Sequence, residues 1–284
     1  MTAIRTNWKI IGRSRTDAPT HYRCQPGLRH PAYVTLGSPL QTAVAIAVLA
    51  AITLLVMGLG GIRQRLDYLG AVGRSIVQLV VVAVIIAWVF AHPEGTMLYL
   101  IVMVTAATAT SVRRIECGWR RSPLVAGPLL LGTVIALIPV LASGALPVEA
   151  QSVVPFTAQI IGGAMTAVSL TGSYGRSKTH QDWPLVEGYL ALGARPRQAV
   201  REITRSAAAS SLIPGLDQTR SAGLVVLPGA FVGMLLAGAT AAQAAQVQLL
   251  VLVALLAAAA TASAAASWTL AGWLGTTMPE PSKY

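Results

Sequence analysis

Seven long stretches of this sequence carry no charged residue and are dominated by apolar ones, and they limit the fold more than any other feature. A helix needs roughly 20 apolar residues to cross the hydrocarbon core of a bilayer. Because lipid offers no hydrogen-bond partners, such stretches must satisfy their backbone groups internally, as helices do. The runs lie at about 38–59, 75–91, 96–112, 123–143, 156–172, 223–239 and 247–273. The sequence therefore predicts an all-α polytopic membrane protein with about seven transmembrane helices.

The composition agrees with a lipid-facing surface. Hydrophobic residues make up 54% of the chain, charged residues only 11%, and the mean hydropathy is +0.63. The net charge of +11 could indicate nucleic acid. However, the basic residues form short clusters between apolar runs rather than one continuous face. We therefore expect a multi-pass protein of a prokaryotic plasma membrane, in contact with lipid and without a nucleic-acid partner.

Positive charge separates the connections into two classes. The second, fourth and sixth contain no Lys or Arg, whereas the first, third and fifth contain Arg63, Arg65 and Arg74, then Arg113, Arg114, Arg120 and Arg121, then Arg176, Lys178, Arg195, Arg197, Arg201, Arg205 and Arg220. The positive-inside rule places the basic connections in the cytoplasm. This predicts an external amino terminus and a cytoplasmic carboxyl terminus, although the basic tail before residue 38 disagrees with an exported position.

The charge pattern also divides the chain. Residues 1–37 are predicted to be a disordered basic tail, or an extension upstream of the true start, because they lack the apolar core of a signal peptide. Residues 38–273 form the membrane domain, with a long cytoplasmic loop at 173–222, and residues 274–284 form a short tail. Cys24 and Cys117 fall on opposite sides of the membrane, which excludes a disulfide between them.

The sequence gives little support for catalysis or nucleotide binding by this chain. The segment from Gly172 to Thr179 nearly matches a phosphate-binding loop, but Ser177 stands where a glycine should precede Lys178. That glycine lets the backbone wrap the phosphates, and no strand precedes the segment. The spanning runs contain no Asp, Glu or His that could act as a base or metal ligand. We expect no enzymatic activity and no bound cofactor, and no metal ligand can be assigned.

The fifth connection contains a pattern of its own. An acidic residue, Glu187, is followed six positions later by Gly193, as in the coupling loop of ABC importer permeases, which docks on the ATPase. Gly193 would end a helix in the left-handed region, and Pro196 suits the first turn of the next helix. An ordinary solvated helix with a glycine cap remains an alternative. The predicted coupling residues are Glu187, Leu190, Leu192, Gly193, Arg197 and Arg201.

Several stretches together carry a family resemblance. They are 72–79, 155–170, 190–199, 212–217 with the sequence Leu-Ile-Pro-Gly-Leu-Asp, and 223–229 with the sequence Gly-Leu-Val-Val-Leu-Pro-Gly, continuing through Gly233 and Gly238 to Gln248. In unbroken order they resemble the bacterial FetB-like iron-export ABC permeases, whose plant relatives act in aluminium tolerance.

The resemblance implies a permease subunit, two chains of which pair with a separate ATPase that binds ATP and Mg. It also implies export of iron or a related metal. A different substrate, or a non-transport membrane scaffold or enzyme, stays open. The fifth helix departs from the family pattern, because Ala158, Gln159 and Gly163 replace a glycine, a methionine and an asparagine.

Polar or soft side chains within the spanning runs are candidates for a substrate pathway, since polarity in lipid is costly and usually faces a path or another helix. The candidates are Gln78, Gln159, Met165, Ser169 and Gln248. Hydrogen bonding between helices is the alternative role for the glutamines and the serine. Four further residues are predicted to kink helices or allow close packing, namely Pro214, Pro228, Gly229 and Gly233.

Overall fold

The structure is a computed structural model and describes residues 38–61 and 65–277. The helices are α1 Pro39–Leu59, α2 Arg65–Ala91, α3 Thr96–Ile115, α4 Ser122–Ala142, α5 Ala150–Gln181, α6 Trp183–Ala191, α7 Pro196–Ala199, α8 Arg201–Ser211, α9 Ile213–Ser221, α10 Gly229–Leu236 and α11 Ala241–Leu274. The all-α polytopic fold predicted from the sequence is confirmed. The basic tail before residue 38 and the residues after 277 lie outside the described part.

Six helices are long and apolar enough to cross a membrane: α1, α2, α3, α4, α5 and α11. Two of these helices begin at a side-chain cap. The Ser38 hydroxyl accepts from the amide of Gln41 at the start of α1, and Thr240 does the same with Gln243 before α11. Each cap satisfies an amide that has no partner within its helix.

The core of the bundle is built from α3, α4, α5 and α11. Helix α4 runs antiparallel to α11: the Thr269 hydroxyl donates to the carbonyl of Leu124 at 2.9 Å near one end, and Gly132 faces Ala258 midway. Helix α5 runs parallel to α11, with Gly163 against Leu255 and Gly175 against Leu274. By contrast, α1 buries no residue and α2 lies at the periphery.

The two ends of this bundle differ in charge. One end, here called the basic end, holds the carboxyl ends of α3, α5 and α11 and the arginines Arg113, Arg114, Arg121 and Arg176. The opposite end holds the turn between α4 and α5 and the start of α11. Helices α5 and α11 have 32 and 34 residues, so each is about 50 Å long and exceeds the hydrocarbon thickness of about 30 Å.

The sixth predicted span, 223–239, differs from the expectation of one long helix. Within it only Gly229–Leu236 is helical, and the chain before it forms a turn in which Ala222 bridges to Val226. Gly223 in this turn has a positive φ of 84°, which favours glycine. The described chain therefore contains six continuous spanning helices rather than about seven.

Between α5 and α11 the chain passes from the basic end to the opposite end as three short helices, α8, α9 and α10. Helix α8 lies antiparallel to the end of α5, where the Thr171 hydroxyl donates to that of Ser211 at 3.0 Å. Helix α9 continues along the middle of the bundle, with Gly215 beside Leu256. Helix α10 then packs on α11 toward the opposite end. The second part of the predicted cytoplasmic loop 173–222 thus lies at the depth of the spanning helices.

Close helix packing depends on glycines other than the predicted ones. Pro214 lies in the first turn of α9, Pro228 precedes α10, and an added Cβ at Gly229 or Gly233 would meet nothing within 4 Å. These prolines begin short helices rather than kink a long one. Close approach occurs instead where an added Cβ would lie under 3 Å from a neighbour, at Gly95, Gly132, Gly163, Gly172 and Gly275.

Cys117 lies in the turn between α3 and α4 and is only 1% exposed. Burial raises the pKa of the Cys117 thiol, so the thiol stays neutral near neutral pH. A neutral, enclosed thiol is inert toward modifying reagents. Thiol chemistry on this part of the chain will therefore report introduced cysteines rather than the native one.

Two glycines on α4 provide a matched test of the packing. A Cβ at Gly132 would lie 2.5 Å from the carbonyl oxygen of Ala258, whereas a Cβ at Gly127 meets nothing within 4 Å. We expect Gly132→Ala to destabilise the detergent-solubilised protein by about 1–3 kcal/mol through overpacking, and Gly127→Ala to leave it unchanged or slightly more stable. Thermal unfolding measures both. Equal midpoints for the two variants would contradict the α4–α11 contact.

Candidate transport pathway and coupling element

A cavity of about 320 Å³ lies between α5, α9 and α11, at the middle of the bundle. Its polar lining comes from Gln159 and Thr166 on α5, Gln218 and Thr219 on α9, and Ser211 at the end of α8. Gly162 and Gly163 leave room on the α5 side because they carry no side chain. We call this space the central cavity.

A second, wider cavity of about 630 Å³ opens toward the opposite end, between α5, α10 and α11. Its polar residues are Gln151, Ser152, Gln159, Gln243 and Gln246. Gln159 lines both this cavity and the central cavity. It therefore lies at the junction of a route that runs from the opposite end to the middle of the bundle. Apolar side chains line most of this route, and we call it the polar route for the amides and hydroxyls among them.

The chemistry of this route is that of neutral amides and hydroxyls. The Thr166 and Thr219 hydroxyls donate to carbonyls of their own helices, at 2.9 and 2.8 Å. The side-chain amides of Gln159 and Gln218 make no hydrogen bond with the part of the chain that the structure describes, so both can bind water or a solute. Among the described residues no three His, Cys, Asp or Glu side chains gather as a metal site would require.

The other predicted pathway residues lie elsewhere. The Ser169 hydroxyl is buried and donates to that of Ser111 at 2.9 Å, so it joins α5 to α3. Met165 packs against the core, and Gln78 lies exposed on the peripheral α2. Gln248 is buried with no partner for its Oε1 among the described residues. Only Gln159 of the five lines the route.

Helix α9 contributes a charged pair that lies within the predicted cytoplasmic loop 173–222. Arg220 Nη1 lies 3.5 Å from Asp217 Oδ1, and both side chains are exposed on the single chain. Gly215 touches Leu256 and Gln218 shares the central cavity with Gln159, so the pair lies near mid-depth. Chain topology could have indicated this position. Helix α5 ends at the basic end and α11 begins at the opposite end, so the residues between them must cross the depth of the bundle.

At the basic end, α6 and α7 form a helix–turn–helix. Helix α6 ends at Ala191, Gly193 adopts a φ of +88°, and Pro196 begins α7. The amide of Ala194 donates to the carbonyl of Tyr189 at 3.0 Å, which closes the turn. The left-handed turn predicted at Gly193 and the helix start predicted at Pro196 are both present.

This element is fixed on one side and open on the other. Val186 is fully buried against the bundle and Leu190 is half-buried there. Leu192 is 86% exposed, and Leu185 and Tyr189 are also exposed. Glu187 lies on the exposed side and makes no ion pair with a described residue. The apolar contact surface predicted from Leu190 and Leu192 is therefore provided by Leu185, Tyr189 and Leu192, which we call the exposed tip.

The predicted arginines lie apart from the exposed tip. Arg197, Arg201 and Arg205 line a recess of about 260 Å³ against α11, together with Ser267 and Trp268. Three ion pairs join described residues, and none includes these arginines. The recess is thus a concentration of uncompensated positive charge at the basic end.

Sequence comparison identifies relatives along most of the chain. The profile described as "Uncharacterised protein family (UPF0014)" matches residues 40–272. The chain is 28% identical to "UPF0014 membrane protein STAR2" of Oryza sativa subsp. japonica, over 79% of this chain and 78% of that protein. It is 32% identical to "Protein ALUMINUM SENSITIVE 3" of Arabidopsis thaliana, over 63% and 66% of the two chains.

A bacterial relative has a more specific name. The chain is 27% identical to the "Probable iron export permease protein FetB" of Escherichia coli (strain K12), over 64% of this chain and 71% of that protein. No solved structure matches the chain.

The polar route predicts that water reaches the middle of the bundle. A cysteine at Gln159 should react with a charged, membrane-impermeant thiol reagent, because such reagents modify thiolates in water. Val134 on α4 lies at a comparable depth but is 45% exposed on the apolar outer surface, so a cysteine there should stay unmodified. Labelling followed by mass spectrometry compares the two. Modification at Val134 but not at Gln159 would exclude the route.

Proposed function

Because the chain belongs to the UPF0014 family, we propose that it is the membrane-spanning permease subunit of an ABC transporter. Two identical chains would form the pathway, and a separate ATPase subunit would bind ATP and Mg and supply the work. The basic end would face the cytoplasm, as the positive-inside rule favours. The chain itself would catalyse no reaction.

The observation that carries this proposal is the α6–α7 element. A permease without a nucleotide site must receive work through a rigid part that protrudes toward the ATPase. Val186 anchors the α6–α7 element to the bundle, and the left-handed Gly193 forms its turn. The exposed tip lies at the basic end, where α5 is long enough to extend beyond the hydrocarbon core. Apolar anchors surrounded by polar residues are typical of protein interfaces. Glu187 adds charge on the same exposed side of α6, and the recess arginines Arg197 and Arg201 add positive charge elsewhere at the basic end.

Iron or a related metal is the substrate class we propose, on the strength of the relative named as a probable iron export permease. The described route offers amides and hydroxyls rather than a thiolate or carboxylate cluster. Such neutral oxygen donors suit weak, transient contacts with a hydrated or chelated ion better than a tight dehydrated site. An ABC permease with another substrate is the alternative within this class, and a membrane scaffold or enzyme is the alternative outside it.

Gly193 provides the test of the coupling role. A valine at φ +88° is strained whatever the space around it, because its Cβ clashes with the backbone. We expect Gly193→Val to reduce copurification of the proposed ABC ATPase partner, and the ATPase activity of the reconstituted complex, by about tenfold. Gly144→Val is the matched control, since Gly144 also has a positive φ, of 68°, and nothing within 4 Å of an added Cβ, but lies in the turn between α4 and α5 at the opposite end. Both variants should be inserted and folded.

Two outcomes decide the proposal. Wild-type ATPase recovery by Gly193→Val would show that α6–α7 is not the coupling element. Failure of the wild-type chain to bind any ABC ATPase would favour the scaffold or enzyme alternative.

The substrate proposal has its own test. Deletion of the gene should raise cellular iron and increase sensitivity to iron combined with peroxide, and a plasmid copy should reverse both effects. Cellular metal content measured by mass spectrometry is the readout, with a Gly193→Val plasmid as the inactive control. Unchanged metal content and tolerance in the deletion strain would remove iron as the substrate.

A further inference from the structure

The Asp217–Arg220 pair has no explanation within a single chain. Helix α9 turns Gln218 and Thr219 toward the central cavity. Residues three apart share a helix face, so Asp217 and Arg220 lie together on a different face, away from the cavity. Their side chains are 64% and 75% exposed. The turn that follows is also uncovered, with Leu224 at 88% and Val225 at 85% exposure.

This exposure occurs at bilayer depth. Gly215 lies against Leu256, near the midpoint of α11, and Gln218 lies near Gln159, the tenth residue of α5. Ten helical residues rise about 15 Å, which is half of the hydrocarbon thickness. A charged pair facing lipid at this depth is strongly unfavourable, and intramembrane charges almost always face protein or a water-filled path. The outer face of α9 must therefore meet protein or a water-filled path rather than lipid.

The pair also indicates what covers it. A twofold contact between identical chains places residue i of one copy against residue j of the other, and j against i. A face with one acid and one base three residues apart is complementary to its own copy in this arrangement. We propose that two copies of this chain meet across the outer face of α9 at mid-depth, with Asp217 of each copy paired to Arg220 of the other.

This contact would lie beside the polar route, since α9 separates the central cavity from the outer face. Its role in transport rests on the proposed function: in a transporter, the two α9 helices would join the copies, and each would form one wall of the polar route in its own chain. The broken crossing formed by α9 and α10 is suited to that position, because discontinuous helices near the midplane form the binding sites of many transporters.

Complementary charge reversals test the pairing between copies. Asp217→Arg alone and Arg220→Asp alone each place like charges across the twofold contact, so we expect each to reduce copurification of two differently tagged copies by about tenfold. Coexpression of one Asp217→Arg copy with one Arg220→Asp copy restores opposite charges across the contact, and recovery should return to near the wild-type level. The pair within each chain stays broken in that mixture, which separates pairing between copies from pairing within one.

Glu202 and Arg205 give the matched control. They lie on α8 with the same spacing of three, are exposed, and lie at the basic end rather than at mid-depth. Glu202→Arg and Arg205→Asp should leave copurification unchanged. Undiminished dimer recovery by the α9 single variants, or no gain on mixing them, would overturn the proposal. Because the assay uses no ATPase, its failure would leave the proposed coupling role untouched, and loss of ATPase binding would not alter its outcome.

Discussion

Lipid supplies no hydrogen bonds and does not stabilise charge, and this constraint governs the whole molecule. Long continuous helices satisfy it in six places. Where the chain breaks between α9 and α10, the amides of residues 222–226 donate within the turn, to carbonyls of Ser221, Gln218 and Val226. A break in the backbone at membrane depth is tolerated only where protein or water covers it. The exposed charged pair on α9 is thus the feature of the single chain that conflicts most with a lipid environment.

The pairing of α5 with α11 connects this region to the basic end. Both helices are longer than the bilayer is thick, so one rigid pair carries the polar route in its first part and α6, α7 and α8 at its far end. Small residues allow the close contacts, as Gly175 does against Leu274. Movement imposed on the α6–α7 element can reach Gln159 without passing through a flexible linker.

The sequence predicted the continuous helices well because length and lack of charge are sufficient to recognise a spanning run. Gly193 was also predicted, since a glycine between a helix and a proline has a restricted set of roles. Asp217 and Arg220 led to the prediction that Ile213–Ser221 belongs to a cytoplasmic loop, whereas packing places this helix beside the middle of α5 and α11. The run 223–239 looked like one span because hydropathy does not show where Gly223 and Pro228 interrupt a helix. Gln159 was a candidate by polarity, yet only tertiary packing distinguishes its open position from the buried, hydrogen-bonded Ser169.

The most direct measurement is crosslinking within one chain, with Cys24 replaced by serine and a short bifunctional thiol reagent. Cysteines at Gln218 and Gln159, which line the same cavity, should crosslink efficiently. A cysteine at Gln218 combined with one at Gln181, at the basic end of α5, should not. This result would place α9 at mid-depth as the broken sixth crossing. If only the Gln218–Gln181 pair crosslinks, residues 213–221 lie in a peripheral loop at the basic end. That result would contradict the proposed pathway, which needs α9 beside Gln159.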